Sequence, residues 1–244
     1  MAEQHLHYRA VDMDEGAGAH VKRLFPVAGL RHIDPFVLLD EFFVGPDAGF
    51  PDHPHRGFEA ITYLFAGGMH HRDNLGNDSI VQAGGAQVFT AGRGIVHSEA
   101  PMGDDTAHGI QLWINMAKIH KDLPPAYQQV QAEQLPAQDL PYGRVRTIVG
   151  PGSPIHLHTA VLYHDVELHK DGEFHIAVPA HHMGLLYAVS GQPEVADEQI
   201  SMGEAVPLAG GSVFTVYAER PCRFICVSGQ PHGEPIAQNG SFVD

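Results

Sequence analysis

Two short motifs in the first half of the chain contain the residue types that bind transition metals. The first contains His53 and His55, and the second contains His97 and Glu99. Residues i and i+2 of an extended strand point to the same face, so each pair can direct two side chains into one cavity. Three imidazoles and a carboxylate suit a divalent metal such as iron, copper, nickel, manganese, cobalt or zinc. The sequence therefore predicts a mononuclear metal site.

The carboxylate of this site has two candidates. Glu59 lies on the same face as His55 if the strand is regular, and Glu99 lies on the same face as His97. We favour Glu99, because its spacing from His97 matches that of the first pair and the glycine-rich turn at 92–94 lets the backbone approach closely. Glu59 would then hydrogen-bond a ligand imidazole, with direct coordination by Glu59 as the alternative.

Four further polar residues lie near these motifs in the sequence. Arg56 and Arg93 are each close to a ligand pair, and we expect both to form ion pairs with nearby Asp or Glu. His71 and His108 are expected to be structural histidines with satisfied hydrogen bonds, although both can lie near the site.

The elements that must position the metal ligands are short strands. The chain contains 27 glycines and 18 prolines, which favours many turns over long helices. Runs of strand-forming residues recur between these turn signals, which is typical of an antiparallel sandwich or barrel. The principal predicted strands are 36–43, 59–65, 86–90, 110–115, 144–150, 161–168, 211–217 and 222–227.

The second half of the chain repeats the strand pattern of the first. Residues 184–191 resemble residues 59–67, so we predict two barrels of one type. The predicted domains are an N-terminal metal-binding barrel at 1–123, a Pro-rich linker at 124–141 and a C-terminal barrel at 142–244.

The C-terminal barrel is predicted to lack metal ligands. His181 and His182 are adjacent, so they face opposite ways on a regular strand. His156 and His158 have the right local spacing but no downstream partners. No histidine occurs at 215–223, where His97 would be matched.

The net charge of the chain limits the classes of molecule that it can bind. Fourteen Lys and Arg residues against 29 Asp and Glu residues give a formal net charge of −15. Direct binding to nucleic acid or to anionic membranes needs clustered basic residues, so we expect neither. Any regulatory role would act through a protein partner.

The two cysteines and the first residues indicate the compartment. Cys222 and Cys226 lie in one predicted strand, where four residues span roughly 13 Å, whereas a disulfide requires Cα atoms within about 7 Å. We therefore predict free thiols in a reducing compartment. The chain shows no signal-peptide pattern and no apolar run of membrane-spanning length, so a cytoplasmic location is expected.

Four segments of the chain together resemble the pirin family of the cupin superfamily. The two metal-binding motifs carry the most specific part of this resemblance, and the other two segments follow the second motif and precede the C-terminus. The segments are Phe50-Pro51-Asp52-His53-Pro54-His55-Arg56-Gly57-Phe58-Glu59, Ala91-Gly92-Arg93-Gly94-Ile95-Val96-His97-Ser98-Glu99, His108-Gly109-Ile110-Gln111-Leu112-Trp113-Ile114-Asn115 and Gly229-Gln230-Pro231-His232-Gly233-Glu234-Pro235-Ile236.

This resemblance implies a fold, a cofactor and a ligand set. Pirins are all-β bicupins, with two cupin-type barrels and iron in the N-terminal one. The family's three histidines and one glutamate fall on His53, His55, His97 and Glu99 of this sequence, which supports Glu99 over Glu59. The expected cofactor is therefore Fe2+, with another divalent transition metal as the alternative.

The resemblance also implies two kinds of function. Some pirins are associated with quercetin 2,3-dioxygenase activity, which implies an oxidoreductase that cleaves a flavonol-type aromatic substrate with O2. Glu99 is then the expected catalytic residue, acting as general base toward a substrate hydroxyl. Other pirins are described as regulators that bind proteins, so the alternative is a non-enzymatic, metal-dependent binding protein.

Overall fold

The structure, a computed structural model, describes residues 7–244, which form 24 strands and two short 3-10 helices at Lys118–His120 and Ala132–Gln134. The strands of the first half are β1 (Tyr8–Arg9), β2 (Val11–Glu15), β3 (Ala19–Phe25), β4 (Phe36–Val44), β5 (Phe50–His55), β6 (Phe58–Ala66), β7 (Gly68–Asp73), β8 (Asp78–Gln82), β9 (Ala86–Thr90), β10 (Ile95–Pro101), β11 (Ala107–Asn115) and β12 (Ala126–Val130).

The second half contains twelve more strands. They are β13 (Ala137–Leu140), β14 (Gly143–Val149), β15 (Val161–Leu168), β16 (Gly172–Ala177), β17 (Met183–Ser190), β18 (Glu194–Val195), β19 (Glu198–Gln199), β20 (Glu204–Ala209), β21 (Val213–Ala218), β22 (Cys222–Gly229), β23 (Gln238–Asn239) and β24 (Phe242–Val243). Within residues 7–244 no α-helix is present, so the all-β prediction is confirmed.

The chain divides into two compact units that are not contiguous in sequence. The N-terminal barrel unit contains residues 11–135, 154–159 and 232–244, and the C-terminal barrel unit contains residues 7–10, 136–153 and 160–231. The predicted boundaries at 123 and 142 differ from this division, because segments from each end of the chain complete the opposite unit.

The N-terminal barrel unit consists of a seven-stranded and a four-stranded antiparallel sheet. The larger sheet has the order β12-β9-β6-β11-β4-β3-β2, and the smaller has the order β5-β10-β7-β8. Strand β6 illustrates why these elements form, since its β-branched and aromatic residues favour a pleated surface and seven of its nine residues are buried. The two sheets share a core in which Met69 and Val81 of the small sheet pack against Phe42 and Leu64 of the large one.

The C-terminal barrel unit repeats this topology. Its larger sheet has the order β1-β20-β17-β22-β15-β14-β13, and its smaller sheet has the order β16-β21-β18-β19. Position by position, β17 corresponds to β6, which agrees with the predicted similarity of residues 184–191 to residues 59–67. Its core includes Val166, Leu186 and Phe224, all fully buried.

The predicted linker at 124–141 is more structured than its proline content indicated. Strand β12 pairs with β9 in the N-terminal barrel unit, and β13 pairs with β14 in the C-terminal one. The chain passes between the units after Leu135.

The structure also bears on the cysteines and on membrane insertion. Cys222 and Cys226 are buried free thiols, as predicted, and burial raises the pKa of Cys226 to about 12. In the described part of the chain, no helix has the length and hydrophobicity that crossing a bilayer requires.

Candidate metal centre

Strands β5 and β10 place the first and second motifs side by side. The two strands are antiparallel neighbours, and His97 is directly paired with His53. The register shifts between His97 and Glu99, where Glu99 pairs with Phe50, because β5 has one extra residue at this point.

The backbone fixes the tautomer of His53. Its Nδ1 lies 2.7 Å from the carbonyl oxygen of Pro51, which can only accept a hydrogen bond. Nδ1 therefore carries the proton, and Nε2 of the neutral ring has a free lone pair. A metal-binding histidine is commonly oriented in this way, by a hydrogen bond from its other ring nitrogen.

A chain of three side chains fixes the tautomer of His97. Nε2 of His71 lies 3.0 Å from Oδ2 of Asp73, so it donates to that carboxylate. Although burial opposes it, hydrogen bonds from His71, Asn77 and the backbone of Leu75 hold the pKa of Asp73 below its ordinary value. Burial lowers the pKa of His71, so its Nδ1 is free to accept. Nδ1 of His97 lies 3.3 Å from Nδ1 of His71. Since Nδ1 of His71 accepts in this contact, Nδ1 of His97 carries the proton and donates.

The two fixed tautomers direct lone pairs at each other. Nε2 of His97 lies 3.1 Å from Nε2 of His53, and neither nitrogen carries the proton. Such an arrangement is unfavourable unless a cation lies between the nitrogens. Two imidazole nitrogens about 2.1 Å from a metal, at right angles to each other, are about 3.0 Å apart. The residues therefore fit a bound metal ion.

His55 completes this group from the end of β5. Ligand atoms of His53, His55 and His97 all lie within 4.8 Å of one another. The His55 ring is stacked on Phe89, with the ring centroids 5.3 Å apart, and it packs edge to face with Trp113, with the centroids 5.0 Å apart. Aromatic packing therefore sets its orientation. Burial lowers the pKa of His55 to about 3, which keeps it neutral and able to bind a metal. Its buried Nδ1 has no hydrogen-bond partner within residues 7–244.

Glu99 lies beside His97, but its carboxylate is held by other side chains. Oε1 accepts from Thr62 at 3.3 Å and from Gln87, and Oε2 accepts from Gln111 at 3.1 Å. Ligand atoms of Glu99, His97 and His71 lie within 4.8 Å of one another, so Glu99 groups with His71 rather than with all three predicted histidine ligands.

The protein environment makes the charge of Glu99 unfavourable in the absence of a cation. Burial raises its pKa to about 7, against hydrogen bonds from neighbouring donors that lower it. A nearby positive charge would lower it further, since opposite charges stabilise the ionised form.

The predicted role of Glu59 as a support for a ligand imidazole is wrong. Its carboxylate is fully buried and accepts hydrogen bonds from the hydroxyl of Thr90 and from the backbone N–H of His158. Nδ1 of His158 lies 2.9 Å from the same carboxylate. Gly57, with φ of +86°, breaks the strand between His55 and Glu59, so the alternation of side chains does not continue across it.

Three of the four other polar residues form the kind of contact predicted for them. Arg56 forms a two-pronged ion pair with Asp244 at 3.0 and 2.8 Å, and His108 lies 2.8 Å from Glu41 in a structural contact. Arg93 is exposed, and no ion pair to it is found within residues 7–244. His71 is hydrogen-bonded as expected, but it also contacts His97 directly.

A cavity of about 630 Å³ opens onto the candidate metal centre. His53, His55 and Glu99 line it, and its apolar wall is formed by Leu38, Phe42, Phe50, Met69 and Trp113. This volume is within the usual range for small-molecule sites.

One wall of the cavity carries a cluster of three charged side chains, those of Arg23, Asp40 and Glu15. Arg23 donates to both carboxylate oxygens of Asp40 at 2.9 and 2.6 Å, and it lies 2.8 Å from Glu15. Burial raises the pKa of Asp40 to about 6, against the lowering effect of Arg23. One guanidinium thus faces two carboxylates, so this wall offers no excess positive charge to a ligand, and Arg31 and Asp52 line other parts of the cavity.

Sequence reasoning missed several residues that support the site. Asp73 orients His71, while Thr62, Gln87 and Gln111 hold Glu99. The strand alternation of β9 and β11 could have placed the two glutamines on the inner face. Their contact with Glu99 depends on long-range strand pairing, which local spacing does not show.

Comparisons with known proteins agree with this architecture. The family model described as Pirin matches residues 18–114, and the Pirin C-terminal cupin domain matches residues 163–244. A pirin-like protein of Solanum lycopersicum is 37% identical over 239 residues, which cover 94% of this chain and 82% of that protein. Pirin of Homo sapiens is 36% identical over 243 residues, which cover 95% of this chain and 84% of that protein.

Solved structures show the same fold. A crystal structure of quercetin 2,3-dioxygenase from Acinetobacter baumannii is 28% identical and has a TM-score of 0.90, over 98% of this chain and 91% of that one. The bicupin prediction is confirmed, with one cupin-type barrel in each unit. Both family models and the full-length relatives lead to the same conclusion: the chain belongs to the pirin family.

Proposed function

We propose that this protein is a metal-dependent dioxygenase that cleaves a flavonol-type aromatic substrate with O2. The observation that carries the proposal is the pair of imidazole lone pairs, on His53 and His97, that converge 3.1 Å apart at the wall of a large, mainly apolar cavity. The similar solved protein from Acinetobacter baumannii, described as quercetin 2,3-dioxygenase, supports the choice of reaction.

The proposed ligands are His53, His55, His97 and Glu99, and the proposed metal is Fe2+. When bound, the metal supplies a Lewis acid that polarises a substrate oxygen and, if it is redox-active, exchanges electrons with O2. The chain orients the imidazoles, through Pro51 for one ring and through the Asp73–His71 pair for another.

The cavity wall would bind and orient the aromatic substrate. Phe42, Phe50 and Trp113 offer apolar surface for stacking, and they exclude water from the ligand face. Since Arg23 is already paired with Asp40 and Glu15, it has little charge left to bind a substrate anion. At this wall a neutral polyphenol is favoured over an anion, and the other lining cation, Arg31, is exposed.

Glu99 would move the proton of the reacting hydroxyl. Its carboxylate lines the cavity, so an oxygen atom can accept a proton from a substrate held there. The donors on Thr62, Gln87 and Gln111 fix the position of this carboxylate. Gln111 is itself oriented, because Nε1–H of Trp113 donates to its amide oxygen at 2.9 Å.

The test is incubation of iron-loaded protein with quercetin, with and without oxygen. We expect oxygen-dependent consumption of quercetin with release of carbon monoxide, and no reaction in the His97→Ala variant. Tight metal binding with no turnover across a panel of flavonols would contradict the proposal. It would instead favour the alternative, a metal-dependent protein that regulates a protein partner.

A further inference from the structure

We propose that the C-terminal barrel unit has its own binding site for a small, neutral molecule of the phenol class. The site is a pocket of about 200 Å³ between the two sheets of that unit. This inference does not depend on the proposed dioxygenase function.

The pocket occupies the topological counterpart of the metal-site cavity. Strands β16 and β21 correspond to β5 and β10 in sheet order, and His175 is paired with Thr215 as His53 is with His97. The C-terminal barrel thus retains a cavity at the ligand-binding end but carries different chemistry there.

The walls of the pocket suit an apolar ring. Leu162, Phe174, Ile176 and Leu208 line it, while no Asp, Glu, Lys or Arg is among its lining residues within the described chain. A carboxylate or an ammonium ion buried here would meet no side chain of opposite permanent charge, which is unfavourable, and His175, which also lines the pocket, is exposed and already contacts Thr215 and Glu173. The pocket is also smaller than sites for drug-sized ligands, which start at about 300 Å³. A single substituted ring is the size that it accepts.

His164 provides the polar contact that a hydroxyl needs. It stands on β15 directly opposite Cys226, and its half-buried ring makes no hydrogen bond to any residue in 7–244. Burial lowers the pKa of His164, so the ring is neutral near pH 7, with one nitrogen donating and the other accepting. A phenol hydroxyl can bond to either nitrogen.

A second polar group lies on the neighbouring strand. The hydroxyl of Ser228 is 3.1 Å from Nδ1 of His182, and it keeps a lone pair for a further hydrogen bond. The Cys226 thiol offers no anionic ligand, because burial raises its pKa to about 12. The combination of apolar walls with neutral donors and acceptors selects an uncharged aromatic alcohol over a metal ion or an anion.

The experiment titrates 4-fluorophenol into metal-loaded, full-length protein and follows binding by fluorine NMR. We expect saturable binding with a Kd of about 1 mM or tighter, given the small number of ligand atoms. The His164→Leu variant should bind 4-fluorophenol about 10-fold more weakly, with little change for fluorobenzene, which lacks the hydroxyl. The anion 4-fluorobenzoate should not bind to this site.

Two exposed alanines provide matched variants for locating the site. Ala177 lies at the rim of this pocket, and Ala17 lies at the rim of the metal-site cavity. Ala177→Trp should abolish the binding that depends on His164, and Ala17→Trp should leave it intact. Metal content and circular dichroism report whether each variant is folded.

Three results would overturn the proposal. They are the absence of saturable binding, loss of binding in Ala17→Trp but not in Ala177→Trp, and equal affinity for 4-fluorophenol and 4-fluorobenzoate. The His164→Leu variant keeps the proposal testable even if a tryptophan at the rim disturbs folding.

Discussion

Replacing His71 with phenylalanine should weaken metal binding while leaving the fold intact. Phenylalanine keeps the flat ring that stacks on Tyr127, where the centroids are 4.2 Å apart and the planes differ by 16°. It removes the acceptor for Nδ1–H of His97 at 3.3 Å. The His97 ring then populates both tautomers and rotates more freely, so its Nε2 lone pair is no longer held toward His53.

The expected loss follows from the role of such supporting contacts. Removing a group that orients a metal-binding histidine typically lowers affinity by about 10- to 100-fold, which is about 1.4 to 2.8 kcal/mol. Competition against a chelator of known affinity measures this change. Asp73→Asn should lower metal affinity less than His71→Phe does. The amide oxygen still accepts from Nε2 of His71, and only the negative charge of the carboxylate is lost.

A neighbouring histidine provides the control for this prediction. His70 is on the same strand but is paired with Asp78 at 2.6 Å, so His70→Phe should leave metal affinity unchanged. Unchanged affinity in His71→Phe would refute the proposed control of the His97 tautomer. A loss above about 1000-fold would also refute it, because it would make His71 a ligand, as its grouping with His97 and Glu99 permits.

Three further variants or measurements test other parts of the structure. Glu99→Gln should lower turnover of quercetin by at least about 100-fold, as expected on loss of a general base, while metal content falls less; full turnover would exclude this role. Gly57→Ala should cost at least about 2 kcal/mol in urea denaturation, because its Cβ would clash with the carbonyl oxygen of Val243; Gly76→Ala, with open space around it and φ of +92°, should cost about 1 kcal/mol. The Cys226 thiol, buried and with its pKa raised to about 12, should react with a disulfide reagent at pH 8 only after unfolding; rapid labelling of the native protein would contradict its burial.

Local patterns were sufficient to predict the strands and the histidine pairs. Residues 59–65 and 86–90 are rich in β-branched and aromatic side chains, a local property of the sequence, and the structure places strands there. The i, i+2 spacing placed His53 and His55 on one strand, and these residues lie with His97 in one cluster. These features follow from the chain geometry of a few residues.

The environment of the site could not be predicted because it depends on strand order. Glu59 shares the first motif with His55, but the turn at Gly57 directs it toward His158. His71 reaches His97 only because β7 and β10 are paired. A sequence pattern shows which side of a strand a residue occupies, whereas the neighbour across the sheet is set by the topology of the whole unit.

The interleaved ends of the chain have a consequence for biosynthesis. Gln238, Gly240 and Ser241 line the metal-site cavity, and Lys121 Nζ donates to the carbonyl oxygen of Val243 at 2.8 Å. When only the first 135 residues have left the ribosome, the nascent chain contains every proposed metal ligand. It still lacks the part of the cavity wall that residues 238–241 form. The metal pocket closes only after synthesis of the last strand, so cofactor loading on the finished fold is expected to be a post-translational event.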